Sequence, residues 1–501
     1  MSRILIVTPE LAELAPVGGI AEYVFGLAGT LLTHGHDVRV ALPAYEYVTK
    51  RPGIQEVTKR LVVRLGFGAS EVASVHKLQL DCPAGSDRKL SVSLFAGHRH
   101  FASVEAGRYV YDWPDHEPWI VFSRAVVDYL LADDTDWKPE VIHCQDSHTA
   151  LIPVFVDQLR HSGRRTFASE VRTVLTIHNL LNQGRGPANL VSFAGLPADS
   201  FERLFEFWGQ ANCFKAGLLC ADAINTVSRT YAREICETAE YGFGLEGVLT
   251  SVRDAGKLTG IVNGIDEGRW VMPGFKYDGS DSEGDVRRSK HDARQRLYQR
   301  WGWQDSDEPV VAFRSRWDNQ KGVGLVTDSL AAIAKIAKVI IVTWGPPGFT
   351  KDPTYVRLES LATENPKRIL INPPGLTAQQ ETRAQYIVAD FFLMPSKYEP
   401  CGLTQQECQR FGTIPIVRRT GGLVDTVAEE PTDAFPSPNG YVFPDMNSES
   451  MLAAVRRAVG DFGKMNIRPR LIKNVLMQRN AWVNRLDEYE ALYGIATKAR
   501  V

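Results

Sequence analysis

The chain has 501 residues, 44% of them hydrophobic, and a formal net charge of -2 at pH 7. This length predicts two or three domains, since domains commonly span about 100–200 residues. The balanced charge argues against a nucleic-acid partner, whose binding requires a concentrated basic face.

The amino-terminal part is predicted to begin with a βαβ unit. Residues 4–7 form a short apolar strand, a loop containing Gly18 and Gly19 follows, and apolar residues then recur at helical spacing over residues 20–32. Residues 38–42 form the next strand. A βαβ unit implies a parallel sheet.

The same pattern returns before residue 230. The further predicted strands are residues 141–144, 171–177 and 223–227. Asp146 or Ser147 can cap the helix after the first of these strands, and Ser228 can cap the helix after the third. The intervening residues 46–137 hold strands, a glycine- and aromatic-rich loop over residues 95–119 and a helix from about residue 119 to residue 131.

A second series of strands begins near Pro309. The predicted strands are residues 310–313, 339–343, 369–371 and the runs that begin at residues 391 and 414, with a helix from about residue 324 to residue 337. We therefore predict an α/β fold of two doubly wound, Rossmann-like domains that face a central crevice. The predicted division is 1–262 and 263–475, with a C-terminal helix over 476–501 that packs back on the first domain.

The most informative stretch is residues 396–407, which lies between two of these apolar strands. It contains Glu399 and Glu407, and Thr420-Gly421-Gly422 follows the next strand. Glycine-led helix starts at the carboxyl ends of neighbouring strands are where open α/β sheets bind ligands, and helix starts attract phosphate oxygens. A carboxylate beside them suits a hydroxyl-rich group such as a sugar. The combination suggests a nucleotide-sugar site.

Two cations follow the first strand of the second series. Arg316 and Lys321 can neutralise a diphosphate, the first as a planar fork and the second as a mobile point charge. The alternative interpretation is two solvated surface cations. In the first series, Gly18 and Gly19 let a substrate approach the backbone of a helix start that favours oxygen anions. The alternative there is an ordinary turn between strand and helix.

Polar residues end two strands of the first series. His178 and Asn179 suit sugar hydroxyls, and a neutral histidine could also relay a proton; the alternative is a satisfied strand-end histidine. Asp146 is either a helix cap or a partner of an acceptor hydroxyl. Glu399 either grips hydroxyls of a transferred sugar or stabilises positive charge at the anomeric carbon, and its alternative is helix-start charge stabilisation. Cys401 is expected to be a small buried residue.

The cysteines and the apolar runs bear on location. Seven cysteines are scattered without the CxxC spacing of a metal site, as in reduced cytosolic proteins. The first apolar run is too short for a signal peptide, and no run approaches the about 20 residues of a membrane span. We therefore expect a cytoplasmic enzyme with no membrane span. No metal-ligand cluster or Ser/His/Asp signature is evident, so no metal is expected.

Several long blocks, in order, carry a recognisable pattern. They are residues 143–151, 176–184, 215–228, 241–247, 260–266, 399–405 and 412–423. In these blocks the chain resembles the bacterial glycogen synthase and plant starch synthase family of retaining glucosyltransferases. The resemblance covers most of both predicted domains. It implies a GT-B fold and transfer of glucose, with retention, from ADP-glucose or UDP-glucose to the 4-hydroxyl of an α-1,4-glucan, without a metal or other cofactor.

The resemblance also implies roles for single residues. Arg316 and Lys321 would hold the diphosphate and Glu399 would bind the donor sugar. His178 would lie at the reacting centre, with Asp146 nearby. The further residues that would contact the donor are Gly18, Gly19, Asn263, Gly402, Leu403, Thr420, Gly421 and Gly422.

The chain departs from the family pattern in several places, among them an unusual loop at residues 344–348 and a loose match over residues 95–119. The first loop of the family usually reads Lys-x-Gly-Gly, but here Pro16 stands at the lysine position. A block that reads Asp-Trp-His in the family has Ser147 in place of the tryptophan in this chain. Two alternatives therefore remain open beside the glucan synthase. One is a related glycosyltransferase with a small-molecule, oligosaccharide or lipid-linked acceptor, and the other is a degenerate glucan-binding protein. The sequence does not distinguish ADP from UDP donors.

Overall fold

The chain divides into two compact units. The computed structural model describes residues 1–82, 87–105, 110–111, 113–132, 137–163, 166–376, 381–432 and 436–494. Unit 1 comprises Met1–Asp266 with Ala481–Val501, and unit 2 comprises Glu267–Asn480. The predicted division after residue 262 is wrong for Asn263, which belongs to unit 1. The reason is local packing: Gly264 lies against the backbone of Trp482, and Ile265 pairs with Ala481 in a parallel bridge.

Unit 1 is built on a mainly parallel sheet of nine strands within the described residues, in the order β12-β11-β7-β6-β1-β2-β5-β4-β3. Its strands are β1 (Arg3–Val7), β2 (Asp37–Pro43), β3 (Gln55–Arg64), β4 (Ser70–Asp81), β5 (Lys89–Ala96), β6 (Val141–Gln145), β7 (Arg172–Ile177), β11 (Ala223–Thr226) and β12 (Leu258–Gly260). The strands predicted over residues 38–42, 141–144, 171–177 and 223–227 are confirmed. The β3–β4 and β4–β5 pairs are antiparallel and extend one edge of the sheet.

Helices cover this sheet, and a small second sheet projects from it. The helices of unit 1 are α1 (Gly19–Thr33), α2 (Glu46–Thr49), α3 (Arg99–Ser103), α4 (Glu117–Leu131), α5 (Leu151–Arg160), α6 (Asn189–Phe193), α7 (Cys213–Cys220), α8 (Arg229–Glu237), α9 (Ala239–Gly242), α10 (Glu246–Asp254) and α19 (Leu486–Leu492). The small antiparallel sheet contains β8 (Arg185–Gly186), β9 (Glu206–Phe207) and β10 (Gln210–Asn212). Ser228 caps α8 as predicted, since its Oγ accepts from the Tyr231 amide at 3.0 Å.

Unit 2 contains a parallel sheet of six described strands in the order β15-β14-β13-β16-β17-β18. The strands are β13 (Val310–Arg316), β14 (Lys338–Trp344), β15 (Ile369–Ile371), β16 (Phe391–Met394), β17 (Ile414–Arg418) and β18 (Tyr441–Phe443). The helices are α11 (Glu283–Trp301), α12 (Val323–Ile333), α13 (Pro353–Glu364), α14 (Thr382–Val388), α15 (Thr404–Gln409), α16 (Gly421–Val424), α17 (Ser448–Phe462) and α18 (Arg468–Leu476). The second predicted parallel sheet is thus confirmed.

The carboxyl-terminal segment differs from the single helix predicted over 476–501. Helix α18 ends at Leu476 in unit 2, and a 3₁₀ turn, Trp482–Arg485, and α19 follow in unit 1. This returning segment packs on the first domain, because Tyr489 hydrogen-bonds to Tyr23 and His143 Nδ1 lies 3.0 Å from Tyr493 Oη. Residues 495–501 of the predicted helix, and residues 106–109 and 112 of the predicted 95–119 loop, lie outside the described residues. No helix in the described part of the chain is long and apolar enough to cross a membrane.

Candidate active site

In unit 2 the structure joins two of the predicted site residues in an ion pair. Lys321 ends a 3₁₀ turn that begins at Asn319, directly after β13. Its Nζ donates to both carboxylate oxygens of Glu399, at 2.9 Å to Oε1 and 2.7 Å to Oε2. The Lys321 side chain is 26% exposed and the Glu399 side chain 7%. The pair is therefore reached by solvent mainly from the lysine side.

The loop that carries Glu399 is fixed by three further contacts. Ser396 Oγ donates to Glu399 Oε2 at 2.8 Å, and the amide of Gly422 donates to the Glu399 carbonyl at 2.9 Å. A Cβ on Gly422 would lie 2.3 Å from Cys401 Cα, so only glycine allows this close approach. Helix-start stabilisation does not account for Glu399, because α15 begins at Thr404 and the carboxylate bonds to Lys321 and Ser396 instead.

A second glycine, Gly322, allows the close packing of the loop that carries Lys321. Gly322 has a φ of 72° in the left-handed region, and a Cβ there would lie 2.2 Å from the Pro395 carbonyl oxygen. This contact brings the chain after β13 against the chain after β16. The amide of Lys397 then donates to the Gln320 carbonyl at 2.7 Å. The ends of two neighbouring strands are thereby joined, as the sequence predicts for a ligand site at this edge of the sheet.

The other predicted donor residues of unit 2 lie at the end of a strand or at the start of a helix. Arg316 ends β13, about half exposed, and its Nη2 lies 3.2 Å from Asp318 Oδ2. Gly402 and Leu403 precede α15, and Thr420 precedes α16. Thr420 Oγ1 is buried and has no hydrogen-bond partner among the described residues. Gly421, with a φ of 46°, begins α16.

In unit 1 Asp146 connects the ends of two neighbouring strands. Its Oδ1 accepts from the amides of His178, at 2.7 Å, and Asn179, at 3.3 Å. The helix-cap interpretation of Asp146 is wrong, because its side chain makes no cap hydrogen bond to the turn that follows. Its φ of 55° lies in the left-handed region. Burial raises the pKa of Asp146 to about 8, although the two amides that it accepts from favour the charged form.

His178 is held as a neutral ring. Its Nε2 lies 2.8 Å from Gln145 Oε1, and because an amide oxygen only accepts, Nε2 carries the proton. The Tyr23 ring meets the His178 ring edge to face, with centroids 4.6 Å apart. Burial lowers the pKa of His178 to about 3. The Nδ1 lone pair is therefore an acceptor at neutral pH, which fits the predicted contact with a sugar hydroxyl better than proton relay.

At the Gly18-Gly19 helix start, the Glu10 carboxylate already binds a backbone amide. Glu10 follows β1, is buried, and its Oε2 accepts from the Gly18 amide at 2.6 Å. Tyr111 Oη donates to Glu10 Oε1. Burial raises the pKa of the Glu10 carboxyl, and the hydrogen bonds from Tyr111 and from backbone amides oppose that shift. The Gly18 amide, which was predicted to favour an anion, thus already donates to Glu10. Helix α1 begins at Gly19.

Aromatic rings surround the position where Ser147 replaces the family tryptophan. The His148 ring lies 4.6 Å from the Tyr111 ring and 4.7 Å from the Trp119 ring. His116 Nε2 donates to the Ser147 carbonyl at 3.0 Å. Burial lowers the pKa of His116 to about 4 and lowers that of His148 strongly, with neighbouring histidines adding to the second shift. This part of the site is therefore neutral and largely aromatic.

Several buried polar atoms near these residues have no hydrogen-bond partner in the described part of the chain. They are Gln145 Nε2, Ser147 Oγ, His148 Nδ1, Asn225 Nδ2 and Asn263 Oδ1. Buried polar groups are normally paired, so these atoms are available to a bound ligand or water. Among the described residues no group of three or more His, Cys, Asp or Glu is arranged to hold a metal ion.

Five residues of unit 1 that contact this region were not predicted from the sequence. Glu10, Tyr23, Tyr111, Gln145 and His148 all contact predicted site residues or one another. One signal was available for Glu10: a carboxylate at the end of a predicted strand, followed by a glycine pair at a helix start. The aromatic contacts had no local signal, because they join segments far apart in the chain.

Comparisons with known proteins cover both units. The model of the starch synthase catalytic domain matches residues 3–251, and the model of group 1 glycosyl transferases matches residues 298–475. The chain is 34% identical to a glycogen synthase of Geotalea daltonii over 98% of each chain. It is 33% identical to a glycogen synthase of Myxococcus xanthus, also over 98% of each chain. In a solved structure, the catalytic domain of starch synthase IV from Arabidopsis thaliana is bound to ADP and acarbose. It matches with a TM-score of 0.83 at 26% identity, over 98% of this chain and 99% of that one.

Proposed function

The chain belongs to the glycogen synthase and starch synthase family of glycosyltransferases, and from this premise we propose its reaction and the roles of its residues. Its fold is the GT-B fold. It transfers glucose from a nucleoside-diphosphate glucose to the 4-hydroxyl of an α-1,4-glucan, with retention at the anomeric carbon. ADP-glucose is the proposed donor, supported by the ADP in the Arabidopsis structure, and UDP-glucose is the alternative.

The observation that carries this proposal is the Lys321–Glu399 pair with Gly422 on the Glu399 carbonyl. A lysine ammonium has three N–H donors, so two bonds to Glu399 leave one for a phosphate oxygen. Glu399 has acceptor capacity left for sugar hydroxyls after it accepts from Lys321 and Ser396. A cation and a carboxylate side by side suit a ligand with a diphosphate at one end and hydroxyls at the other.

Unit 2 provides the charge compensation for donor cleavage. The bond between the anomeric carbon and the diphosphate oxygen breaks, and a bond to the acceptor 4-oxygen forms on the same face. The acceptor proton goes to the departing diphosphate. Arg316 and Lys321 stabilise the negative charge that develops on that leaving group. Because Pro16 stands where the family has a lysine, this task rests on fewer cations here.

Unit 1 provides hydrogen bonds to the transferred sugar and the acceptor. His178 Nδ1 accepts from a sugar hydroxyl, since its pKa of about 3 keeps the ring neutral. Asp146, with a pKa of about 8, is protonated at neutral pH and can donate as well as accept. No cofactor takes part. We place the enzyme in the cytoplasm, because its seven cysteines are all free thiols, as in reducing compartments.

A donor-by-acceptor activity matrix tests the proposal. Purified full-length chain is incubated with ADP-glucose or UDP-glucose and with glycogen, maltoheptaose, glucose or a lipid-linked sugar, and released nucleoside diphosphate and elongated product are measured. We expect elongation of glycogen and maltoheptaose, preferentially from ADP-glucose. Transfer only to a non-glucan acceptor would favour the second glycosyltransferase hypothesis, and glucan binding without turnover would favour a degenerate glucan-binding protein.

A further inference from the structure

An exposed tryptophan forms the tip of the hairpin between β9 and β10. Trp208 is 75% exposed, has a φ of 51° and is followed by Gly209 with a φ of 79°. Two positive φ values in a two-residue hairpin loop define the turn that Asn-Gly normally occupies. A bulky aromatic residue in the left-handed region is a conformational outlier. The turn itself therefore gives no reason for a tryptophan.

Trp208 is one of three side chains in contact, which we call the aromatic platform: Arg185, Phe207 and Trp208. The Phe207 and Trp208 ring centroids are 4.6 Å apart, and the two ring planes are inclined by 35°. The Arg185 guanidinium lies 4.5 Å from the Phe207 centroid and 5.7 Å from the Trp208 centroid. Contacts of this kind are stabilising. The exposed Trp208 ring thus lies beside the exposed Arg185 guanidinium, and the buried Phe207 ring supports both.

The aromatic platform is rigidly built. Glu206 Oε1 accepts from the Gly209 amide at 3.0 Å, and Lys215 Nζ donates to the Glu206 carbonyl at 2.6 Å. Gly244 has a φ of 87°, and a Cβ there would lie 2.8 Å from the rings of both Phe207 and Trp208. The rings therefore rest on a backbone that only glycine allows. A surface held in this way loses little entropy when a ligand binds.

Hydrogen bonds connect the aromatic platform to the loop that follows His178. Arg185 donates to Gln183 Oε1, from Nε at 2.9 Å and from Nη2 at 2.7 Å, and its Nη2 also donates to the Phe243 carbonyl. Gln183 is buried and also accepts from Asn212 Nδ2 at 2.8 Å. The loop from His178 leads directly to these residues. The aromatic platform is therefore tied to the chain segment that begins at His178.

We propose that the aromatic platform is a subsite for glucose units of the α-1,4-glucan acceptor, and this inference rests on the proposed function. The C–H face of a pyranose ring is apolar and packs on exposed aromatic rings, which are rigid and present a large contact area. Sugar-binding sites need hydrogen-bond donors at the ring edge, and the Arg185 guanidinium has five N–H groups, three of which bond to Gln183 Oε1 and the Phe243 carbonyl and leave the others for a ligand. Trp208 supplies an aromatic contact in a chain that lacks one at Ser147.

The test is Trp208→Asn, with Phe67→Asn as the matched control. Asparagine suits the left-handed turn position, so the hairpin of Trp208→Asn should remain folded. Phe67 is also an exposed aromatic residue of unit 1, 81% exposed with a φ of 57°, and Gly68 follows it with a φ of 71°. In the described part of the chain, no ring or guanidinium contact involves Phe67. The control therefore makes the same chemical change away from the aromatic platform.

Two measurements are made on each full-length variant: glycogen affinity without donor, by affinity electrophoresis, and the KM values for glycogen and for ADP-glucose. For Trp208→Asn we expect glycogen affinity to fall and the glycogen KM to rise about 2- to 10-fold, the range of one aromatic contact. The KM for ADP-glucose and kcat should stay unchanged, and Phe67→Asn should behave like the wild type throughout.

The outcomes separate this inference from the proposed function. If the wild type elongates glycogen and Trp208→Asn has an unchanged glycogen KM, the subsite is overturned and the function stands. If the wild type transfers from no donor, the function fails, and the donor-free affinity still tests the aromatic platform. A rise in the KM for ADP-glucose alone would show that the rings stack on the nucleotide base, which contradicts a glucan subsite.

Discussion

The candidate site residues of unit 2 carry full charges, whereas those of unit 1 are mostly neutral. Lys321 and Glu399 form a partly exposed ion pair, and Arg316 is about half exposed. In unit 1, burial lowers the pKa of His178 to about 3 and raises the pKa of Asp146 to about 8. The same unit thus suppresses a positive charge on one residue and a negative charge on another.

The cause of this difference is the presence of counter-ions in unit 2. Burial disfavours the charged form of any group that lacks a close counter-ion. In unit 2 each charge has a partner: Lys321 has Glu399 and Arg316 has Asp318. A leaving diphosphate requires permanent positive charge, while recognition of sugar hydroxyls requires donors and acceptors that are not ionised. The charged residues of unit 2 therefore suit a diphosphate, and the neutral residues of unit 1 suit sugar hydroxyls.

Removal of the lysine charge is the strongest test of this contrast. Lys321→Ala should lower kcat by about 10² or more, by analogy with the loss of one oxyanion donor. The variant also leaves Glu399 without its cation. The measurement is steady-state turnover with ADP-glucose and glycogen at saturating concentrations of both.

The matched control for this change is Lys351→Ala. Lys351 is an exposed lysine that ends a 3₁₀ turn of unit 2, Phe349–Lys351, as Lys321 ends its own. It should retain turnover within about twofold, since exposed surface substitutions have small effects. Near-normal turnover of Lys321→Ala would contradict the role of Lys321 in diphosphate binding. The contrast between a charged unit 2 and a neutral unit 1 would then have no functional meaning.

The pH dependence of stability tests the neutral half. The pKa of Asp146 is raised from 3.8 to about 8 in the folded chain, so the folded state keeps a proton that the unfolded state has lost. The resulting stabilisation is complete below pH 3.8 and is lost as the pH rises through 8. Between pH 6 and pH 8 the wild type should therefore lose about 2 kcal/mol relative to Asp146→Asn. Urea unfolding at the two pH values measures this difference.

Asp254→Asn is the control for that titration, because Asp254 is an exposed carboxylate of the same unit, paired with Arg253. It makes the same chemical change at an exposed position, so its offset from the wild type measures the effect of the substitution itself. Contributions from the buried histidines cancel, since all three proteins contain them. An offset for Asp146→Asn that does not change with pH would mean that Asp146 is ionised in the folded chain, and unit 1 would then carry charge as unit 2 does.

The sequence predicted the parallel strands well, because buried strands are continuous apolar runs bounded by turn residues. It did not predict the antiparallel edge formed by β3, β4 and β5. In β3 most residues are exposed, so no apolar run marks the strand. Its position depends on pairing with β4, which a local pattern does not encode.

In the candidate site, too, features set by neighbouring residues were predicted, and contacts between distant segments were not. Glu399, Gly422 and Lys321 follow apolar strands, and the position at a strand end predicted their roles. Asp146 also follows a strand, but the local pattern favoured a helix cap. The structure turns its carboxylate to the amides of His178 and Asn179, more than 30 residues away. Interactions across such separations are set by the sheet topology and not by neighbouring residues.

The smallest expected effect concerns Tyr23, whose ring packs on His178 in unit 1. Tyr23 Oη lies 2.9 Å from Tyr489 Oη and 3.3 Å from Thr176 Oγ1, while its ring packs on His178. Tyr23→Phe removes only the hydroxyl and should cost about 1 kcal/mol of unfolding free energy, with kcat unchanged. Tyr23→Leu also removes the ring, and kcat/KM should then fall about 2- to 10-fold.

A double-mutant cycle isolates the hydroxyl contact. Tyr489→Phe removes the same bond from the other side, so Tyr23→Phe and Tyr489→Phe together should destabilise the chain by less than the sum of the two single changes. Unfolding free energies from urea titrations provide the coupling. Strictly additive values would mean that the two hydroxyls do not interact in solution, and a drop in kcat for Tyr23→Phe would mean that the hydroxyl, and not ring packing, positions His178. The first result would leave ring packing as the support of His178, whereas the second would show that the position of His178 depends on a polar network.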